Sequence, residues 1–115
     1  MIGAPCRGTA FLYSGRPDPE WTITATQLLR LTKLWKQLPA GGIPPPKAPP
    51  LGYRGCAVRC ESGEEWFAYQ GVASLLRRAH PPEYRVDDKR HFEREVLETA
   101  PPGALPEPLL DFAGV

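Results

Sequence analysis

The sequence has no long hydrophobic run and no excess of charge of one sign. No apolar stretch approaches the roughly 20 residues of a membrane-spanning helix, and the first eight residues lack the basic and apolar parts of a secretory leader. Fourteen Lys and Arg residues against thirteen Asp and Glu residues give a net charge of +1, too little for a broad field towards polyanions. We therefore expect a soluble, cytoplasmic protein without a membrane partner or general nucleic-acid binding.

Cysteine and histidine are also scarce. Cys6, Cys56 and Cys60 cannot all pair within one chain and lack the even, dense pattern of a disulfide-stapled secreted domain, which favours a reducing compartment. On a strand, Cys56 and Cys60 would lie about 13 Å apart, too far to share one zinc ion. Nothing in the sequence places a cysteine beside His80 or His91. With no glycine-rich phosphate loop present either, we predict no metal and no other cofactor.

Proline, in contrast, is abundant. The 115 residues suffice for one domain, and fifteen prolines are about two to three times the usual share. Six of them lie in residues 39–50, which predicts a long connection without regular structure. We expect a single globular domain over residues 1–103. Residues 104–115 form an apolar tail, with Leu109 and Phe112, that would dock on the domain or on a partner.

The clearest predicted element is a helix from Ala25 to Leu38. Thr24 and Gln27 have the spacing of a capping box, and Pro39 ends the element. Apolar residues at helical spacing predict a broad buried face comprising Leu28, Leu29, Leu31, Leu34, Trp35 and Leu38.

Three strands are predicted around this helix. Thr9 to Tyr13 is the first, and Leu51–Cys60 and Glu65–Leu76 are the arms of a hairpin. Side-chain alternation directs Cys56 and Cys60 to the core. Val72 to Ala79 also fits helical spacing, so strand and helix both stay open there.

A second helix is predicted to begin after Asp87 or Asp88 and to end near Thr99, with Phe92 and Val96 inward. The element order indicates an α+β fold. We expect a small, mainly antiparallel sheet of about three strands packed against two helices, with the long Pro-rich connection between them.

Two arginines in stiff settings are candidate binding residues. Arg16 precedes a proline, and Arg54 lies between Tyr53 and a glycine. A guanidinium beside an aromatic ring suits a carboxylate or a phosphate. The alternative is that these arginines brace loops by pairing internally, for example with Asp18 or Glu20.

The three tryptophans, Trp21, Trp35 and Trp66, are expected to be core or loop anchors. Any tryptophan left exposed would instead mark an interface, and Trp21 is kept as a candidate for that role.

Two short motifs carry a resemblance. Ser14-Gly15-Arg16-Pro17-Asp18-Pro19, followed by Trp21, and Leu51-Gly52-Tyr53-Arg54-Gly55 resemble motifs of a group of small uncharacterised bacterial proteins. That group joins the two motifs through a helix and a proline-rich stretch. The resemblance spans about the first half of the chain and implies no activity, cofactor or partner.

The leading functional hypothesis is a non-enzymatic protein-protein interaction module or accessory subunit whose partner is another protein. It rests on the lack of a catalytic constellation, on the stiff Pro-framed segments and on the apolar tail. The candidate binding residues are Arg16, Trp21, Tyr53, Arg54, Leu109 and Phe112. The alternative is a small-molecule or anion-binding protein, or an enzyme, with a cleft formed by Arg16, Arg54 and Tyr53. Self-association is left open.

Overall fold

A computed structural model describes residues 5–12, 17–41, 44 and 52–106. These residues form one antiparallel sheet and two helices, in an α+β fold. The strands are β1 (Cys6–Ala10), β2 (Glu20–Ile23), β3 (Cys56–Cys60), β4 (Glu65–Tyr69), β5 (Val72–Leu76) and β6 (Glu83–Val86). The helices are α1 (Ala25–Gln37) and α2 (His91–Glu98).

The sheet has six strands in the order β2-β1-β3-β4-β5-β6. The sequence-based prediction of about three strands is therefore wrong. Two of the extra strands, β2 and β6, contain only four residues each and directly follow proline-containing segments. Such short segments carry little local signal, because their stability comes from pairing with a neighbouring strand.

The third extra strand, β5, settles the alternative that the sequence left open. A two-residue turn, Gln70 and Gly71, has φ values of 46° and 91° and joins β4 to β5. Two positive φ values in succession are typical of tight hairpin turns, whose twist matches that of the flanking strands. Val72–Leu76 is consequently a strand, and Ala79, with φ 61°, lies in the turn beyond it.

The first strand lies earlier than predicted. We expected Thr9–Tyr13, whereas β1 spans Cys6–Ala10. This strand pairs with β2 on one side and with β3 on the other, so two ladders stabilise residues that have little β propensity of their own. The Phe11 N–H still donates to the Gly55 carbonyl at 2.9 Å, just beyond the end of the strand.

Helix α1 begins as predicted. The Thr24 hydroxyl accepts from the Gln27 N–H at 3.1 Å, and the Gln27 side chain accepts from the Thr24 N–H at 2.9 Å. Leu31 and Trp35 are buried. The expected inward position of Leu29 is wrong, because this side chain is 54% exposed and the buried face is narrower than the apolar pattern indicates.

Helix α2 is capped from a distance. Both Asp87 carboxylate oxygens accept backbone N–H bonds, from Phe92 and Glu93, at 3.1 Å each. Phe92 and Val96 are buried, as predicted. The Asp87 side chain, four residues before the first helical residue, thus satisfies two of the donors that every helix start leaves open.

Both helices contact one face of the sheet. Cys56 on β3 lies beneath α2, with its Sγ 3.7 Å from the Glu93 carbonyl, and Trp35 of α1 contacts Phe92 of α2 at 5.9 Å between ring centroids. Arg85 on β6 fixes the end of α1, because its guanidinium lies 5.0 Å from the Trp35 ring and donates to the carbonyls of Trp35, Lys36 and the C-cap Leu38.

Two of the cysteines form a disulfide. Cys6 and Cys60 lie directly opposite each other on β1 and β3 and are covalently joined. The cysteine pattern, which we interpret as favouring a reducing compartment, does not indicate this disulfide. The sequence spacing of 54 residues could not indicate this pair, since only the register of the two strands brings the side chains together. Cys56 is the free cysteine and is fully buried.

Candidate functional site

The outer edge of β2 is the candidate functional site. In an antiparallel ladder, residues that bond the neighbouring strand alternate with residues whose N–H and C=O groups point away from it. The Ala10 N–H donates to the Pro19 carbonyl at 3.3 Å, which fixes that alternation. The backbone groups of Glu20 and Thr22 therefore point outward, and both residues are exposed.

The opposite edge of the sheet is covered. Ala40, which follows α1, forms an antiparallel bridge with Arg85 on β6. The Val86 N–H donates to the Pro39 carbonyl at 2.8 Å, and the Gly41 N–H donates to the Tyr84 carbonyl at 3.0 Å. Within the ranges that the structure describes, no strand pairs with β2 on its outer side. Within the described residues, β6 is therefore a covered edge of the sheet and β2 is an open one.

A cleft of about 650 Å³ runs beside the β2 edge on the helix face of the sheet. Its walls are β2, the start of α1 and residues 98–102 at the end of α2. The Trp21 indole turns away from the edge: it packs over Gly8, where an added Cβ would lie only 2.5 Å from the ring, and its Nε1 donates to the Thr99 hydroxyl at 2.7 Å. The cleft beside the edge stays open because the largest side chain of β2 points inward.

Charged side chains flank the same edge on the other face. Arg7 on β1 is directly opposite Thr22 on one side and Arg59 on the other. Its Nε lies 3.2 Å from Glu20 Oε1, and the two side chains are 56% and 49% exposed. Arg59 pairs with Glu65 at 3.3 Å. Two adjacent arginines, each paired with a glutamate, therefore lie next to the outward backbone groups.

A second, smaller cleft of about 360 Å³ adjoins this charged row. Arg7, Arg59 and the Cys6–Cys60 disulfide contribute to its walls. The disulfide joins the two strands that carry the arginines, so it fixes the spacing of these charges at the end of the sheet.

The segment before β2 is fixed by one of the motifs that the sequence singled out. Asp18 lies between Pro17 and Pro19, and its Oδ1 accepts from the Leu12 N–H at 2.8 Å. The same carboxylate oxygen lies 4.0 Å from the Arg54 guanidinium. Because each proline restricts its own φ and disfavours helix in the residue before it, the chain enters β2 in an extended conformation.

Arg54 therefore has the internal partner that the sequence suggested as the alternative to a binding role. Its contact with Asp18 joins the two short motifs across the fold, at residues 18 and 54. Both side chains are partly exposed, at 28% and 21%. The structure assigns Arg54 a bracing contact, and a binding role for it stays a hypothesis.

Tyr53, the other candidate in that motif, lies in a buried polar cluster. Its hydroxyl donates to Glu93 Oε2, and Glu93 is completely buried. The same carboxylate accepts from the Gln70 N–H at 3.1 Å and from Arg90 Nε and Nη2 at 2.9 and 3.0 Å. Four donors thus satisfy the buried charge, and they join the 52–55 segment, the β4–β5 turn and α2.

The surroundings of the cluster raise the pKa of three of its groups, Tyr53, Cys56 and Arg90. Burial raises the pKa of the Tyr53 hydroxyl, and the neighbouring Cys56 and Glu93 raise it further. Burial likewise raises the pKa of the Cys56 thiol, with a contribution from Glu93. The bond to Glu93 raises the pKa of Arg90. A thiol and a phenol that keep their protons are suited to bracing the fold and poorly suited to nucleophilic attack.

The six residues predicted to bind do not form one described site. Arg16, Leu109 and Phe112 lie outside the described residues. Tyr53 and Arg54 lie near α2 and Asp18, as above, and Trp21 is buried while contributing to the wall of the larger cleft. All three tryptophans are buried, as expected.

Sequence reasoning missed the residues of the β2 edge. Arg7, Glu20 and Thr22 lie in β1 and β2, at positions where the sequence predicts no strand. One signal was present: Glu20-Trp21-Thr22-Ile23 alternates polar and apolar residues directly after Pro17 and Pro19, the pattern of a half-buried strand. Four residues give that pattern little weight without knowledge of the neighbouring strand.

Three comparisons with known proteins give no further guide. No family model, no curated protein and no solved structure matches the chain. Neither described helix has the length and apolar character needed to cross a membrane. Among the described residues, no three His, Cys, Asp or Glu side chains converge in a way that could hold a metal ion.

Proposed function

We propose that this protein is a non-enzymatic binding module that takes up an extended segment of a partner protein along the outer edge of β2. The segment would add a seventh strand to the sheet. In this mode of recognition, main-chain hydrogen bonds supply affinity and alternate side chains supply specificity. Strand addition at the β2 edge would be the mechanism of the accessory role that the sequence predicts.

The contrast between the two sheet edges carries the proposal. Exposed edge strands are ready templates for pairing, and proteins commonly cover, charge or interrupt them. Here residues 39–41 cover β6, whereas Glu20 and Thr22 present their backbone groups outward. The adjoining cleft supplies room for the side chains of an incoming strand on the helix face.

The buried cluster around Glu93 favours a structural role over catalysis. Its carboxylate accepts four hydrogen bonds from within the chain, and the neighbouring Cys56 thiol is fully buried. A hypothesis that uses Arg16, Arg54 and Tyr53 as an open cleft would require Arg54 to leave Asp18 and Tyr53 to leave Glu93.

Proline at position 22 tests the proposal. Thr22→Pro removes the outward N–H while leaving the bonds between β1 and β2 intact, and edge strands tolerate proline at such positions. Thr22→Val is the matched control, because it keeps the N–H and a high β propensity. Random twelve-residue peptides displayed on phage would be selected on the immobilised wild-type protein. The individual peptides would then be measured against all three proteins.

Selected peptides should bind wild type and Thr22→Val similarly and should bind Thr22→Pro at least about tenfold more weakly, since one backbone bond is lost and the ring obstructs its neighbour. Circular dichroism would establish that the three proteins share one fold. Peptides that bind Thr22→Pro as tightly as wild type, or a selection that enriches no sequence, would count against strand addition at β2.

A further inference from the structure

We infer that the segment bound by β2 carries an acidic, an apolar and a basic residue in succession, from its N-terminus to its C-terminus. This inference rests on the proposed function and specifies the chemistry of the partner. It follows from the side chains that each position of an added antiparallel strand would face.

The acidic residue would lie opposite Thr22. Side chains of directly opposed residues in a sheet lie on the same face, so this residue would stand in line with Thr22, Arg7 and Arg59. The short Thr22 side chain leaves the Arg7 guanidinium within reach across one strand. Arg7 engages Glu20 through Nε, and within the described residues its two terminal nitrogens make no hydrogen bond, so they can receive a carboxylate.

The basic residue would lie opposite Glu20, two positions further along the segment. Glu20 is half exposed and has a single described partner, Arg7. A Lys or Arg placed opposite this carboxylate would give Glu20 a second cationic neighbour, on its outer side. Opposite charges on directly opposed positions stabilise a pair of strands, and like charges destabilise it.

The residue between these two would face the larger cleft. It would be opposite Trp21, on the helix face of the sheet, where Thr99, Pro101 and Pro102 contribute to the wall. Because the indole of Trp21 packs inward over Gly8, space above the edge remains for an apolar side chain against Ala100 and the two proline rings, with the polar residues Gln27 and Glu98 also in the wall.

A different protein fits this pattern better than a second copy of the chain. If two copies paired through β2 in antiparallel fashion, Glu20 of one copy would face Thr22 of the other, which supplies the acid. The position opposite Glu20 would then hold Thr22, which has no positive charge. Self-pairing therefore satisfies one of the two charge requirements, and a partner segment can satisfy both.

Two short peptides of equal composition test the order of charges. One has the core Glu-Val-Lys and the other Lys-Val-Glu, each flanked by Thr and Val and blocked at both ends. Titrations followed by backbone amide NMR would compare wild type, Thr22→Pro and the charge-swapped double variant Arg7→Glu with Glu20→Arg. The swap exchanges two exposed charges and leaves the net charge unchanged.

Wild type should bind the Glu-Val-Lys peptide about tenfold more tightly than its reverse, an effect of the size expected from a few opposed charge pairs. The double variant should show the opposite preference. Raised salt should reduce the preference, because the groups are exposed. The amides of Glu20 and Thr22 should show the largest shifts, which locates binding even if Thr22→Pro does not fold.

Other results separate the two proposals. Equal binding of both peptides, with shifts at Glu20 and Thr22, would overturn the charge pattern and leave strand addition standing. Absence of binding to a monomeric wild-type protein, or shifts centred elsewhere, would overturn strand addition itself. A wild-type dimer that binds neither peptide and dissociates in Thr22→Pro, seen by sedimentation, would identify a second copy as the occupant and overturn the inference.

Discussion

Trp21 and Trp66 differ in one hydrogen bond. Both are buried on the sheet, at 4% and 8% exposure. The Trp21 Nε1 donates to the Thr99 hydroxyl, whereas the Trp66 Nε1 has no hydrogen-bond partner within the part of the chain that the structure describes. A buried donor without an acceptor lowers the free energy of unfolding, and a buried donor that forms a hydrogen bond raises it.

We predict that Trp21→Phe lowers the free energy of unfolding more than Trp66→Phe does, by about 1–2 kcal/mol. The two substitutions remove similar apolar area, but only the first loses a hydrogen bond. Urea denaturation with comparable m values would measure both. Adding Thr99→Val should abolish the difference, and equal losses in the wild-type background would show that the Trp21 bond contributes nothing.

At the scale of the element, α1 shows how far a local pattern extends. The capping box depends on residues three apart and is formed as the sequence predicts. The apolar residues of α1 predict which side of the helix packs on the core, but they do not predict how wide the buried face is. Leu31 is 3% exposed and Leu29 is 54% exposed, although both satisfy the same apolar pattern.

This contrast predicts unequal costs of truncation. Leu31→Ala should lower the free energy of unfolding by about 2–5 kcal/mol, because it removes core contacts and leaves a cavity. Leu29→Ala, on the same helix, should change it by less than about 0.5 kcal/mol. Thermal or chemical denaturation would measure the free energy of unfolding of both variants. A large decrease for Leu29→Ala would contradict the exposure of the Leu29 side chain.

Strand β2 is the element on which the proposed function depends. It is four residues long, and all four residues pair with β1. Its position follows from two prolines and from the Asp18 contacts before it. A strand fixed in this way loses little further conformational entropy when another segment pairs with it.

At the scale of the whole molecule, the disulfide and the buried thiol account for all three cysteines. Cys6 and Cys60 connect β1 to β3, close to the Arg7 and Arg59 pair. Cys56 lies on the same strand as Cys60 and is inaccessible. The raised pKa of its thiol keeps it protonated at neutral pH.

Thiol titration should therefore give three distinct results. With Ellman's reagent, the oxidised native protein should show almost no reactive thiol at neutral pH. The same protein in denaturant should show one, Cys56, and after reduction it should show three. Three reactive thiols in denaturant without reduction would exclude the disulfide, and a rapid reaction in the native state would contradict the burial of Cys56.

Local sequence patterns suffice to predict the α+β class, the helix α1 with its cap, the hairpin around residues 61–64 and the burial of the three tryptophans. Each of these depends on spacing within a few residues or on side-chain hydrophobicity. The strands β2 and β6, the Cys6–Cys60 pair, the contact of Arg54 with Asp18 and the difference between the two sheet edges become visible only in the folded chain. These features depend on which distant segments pair and in which register, and a short strand has no conformational preference strong enough to indicate its partner.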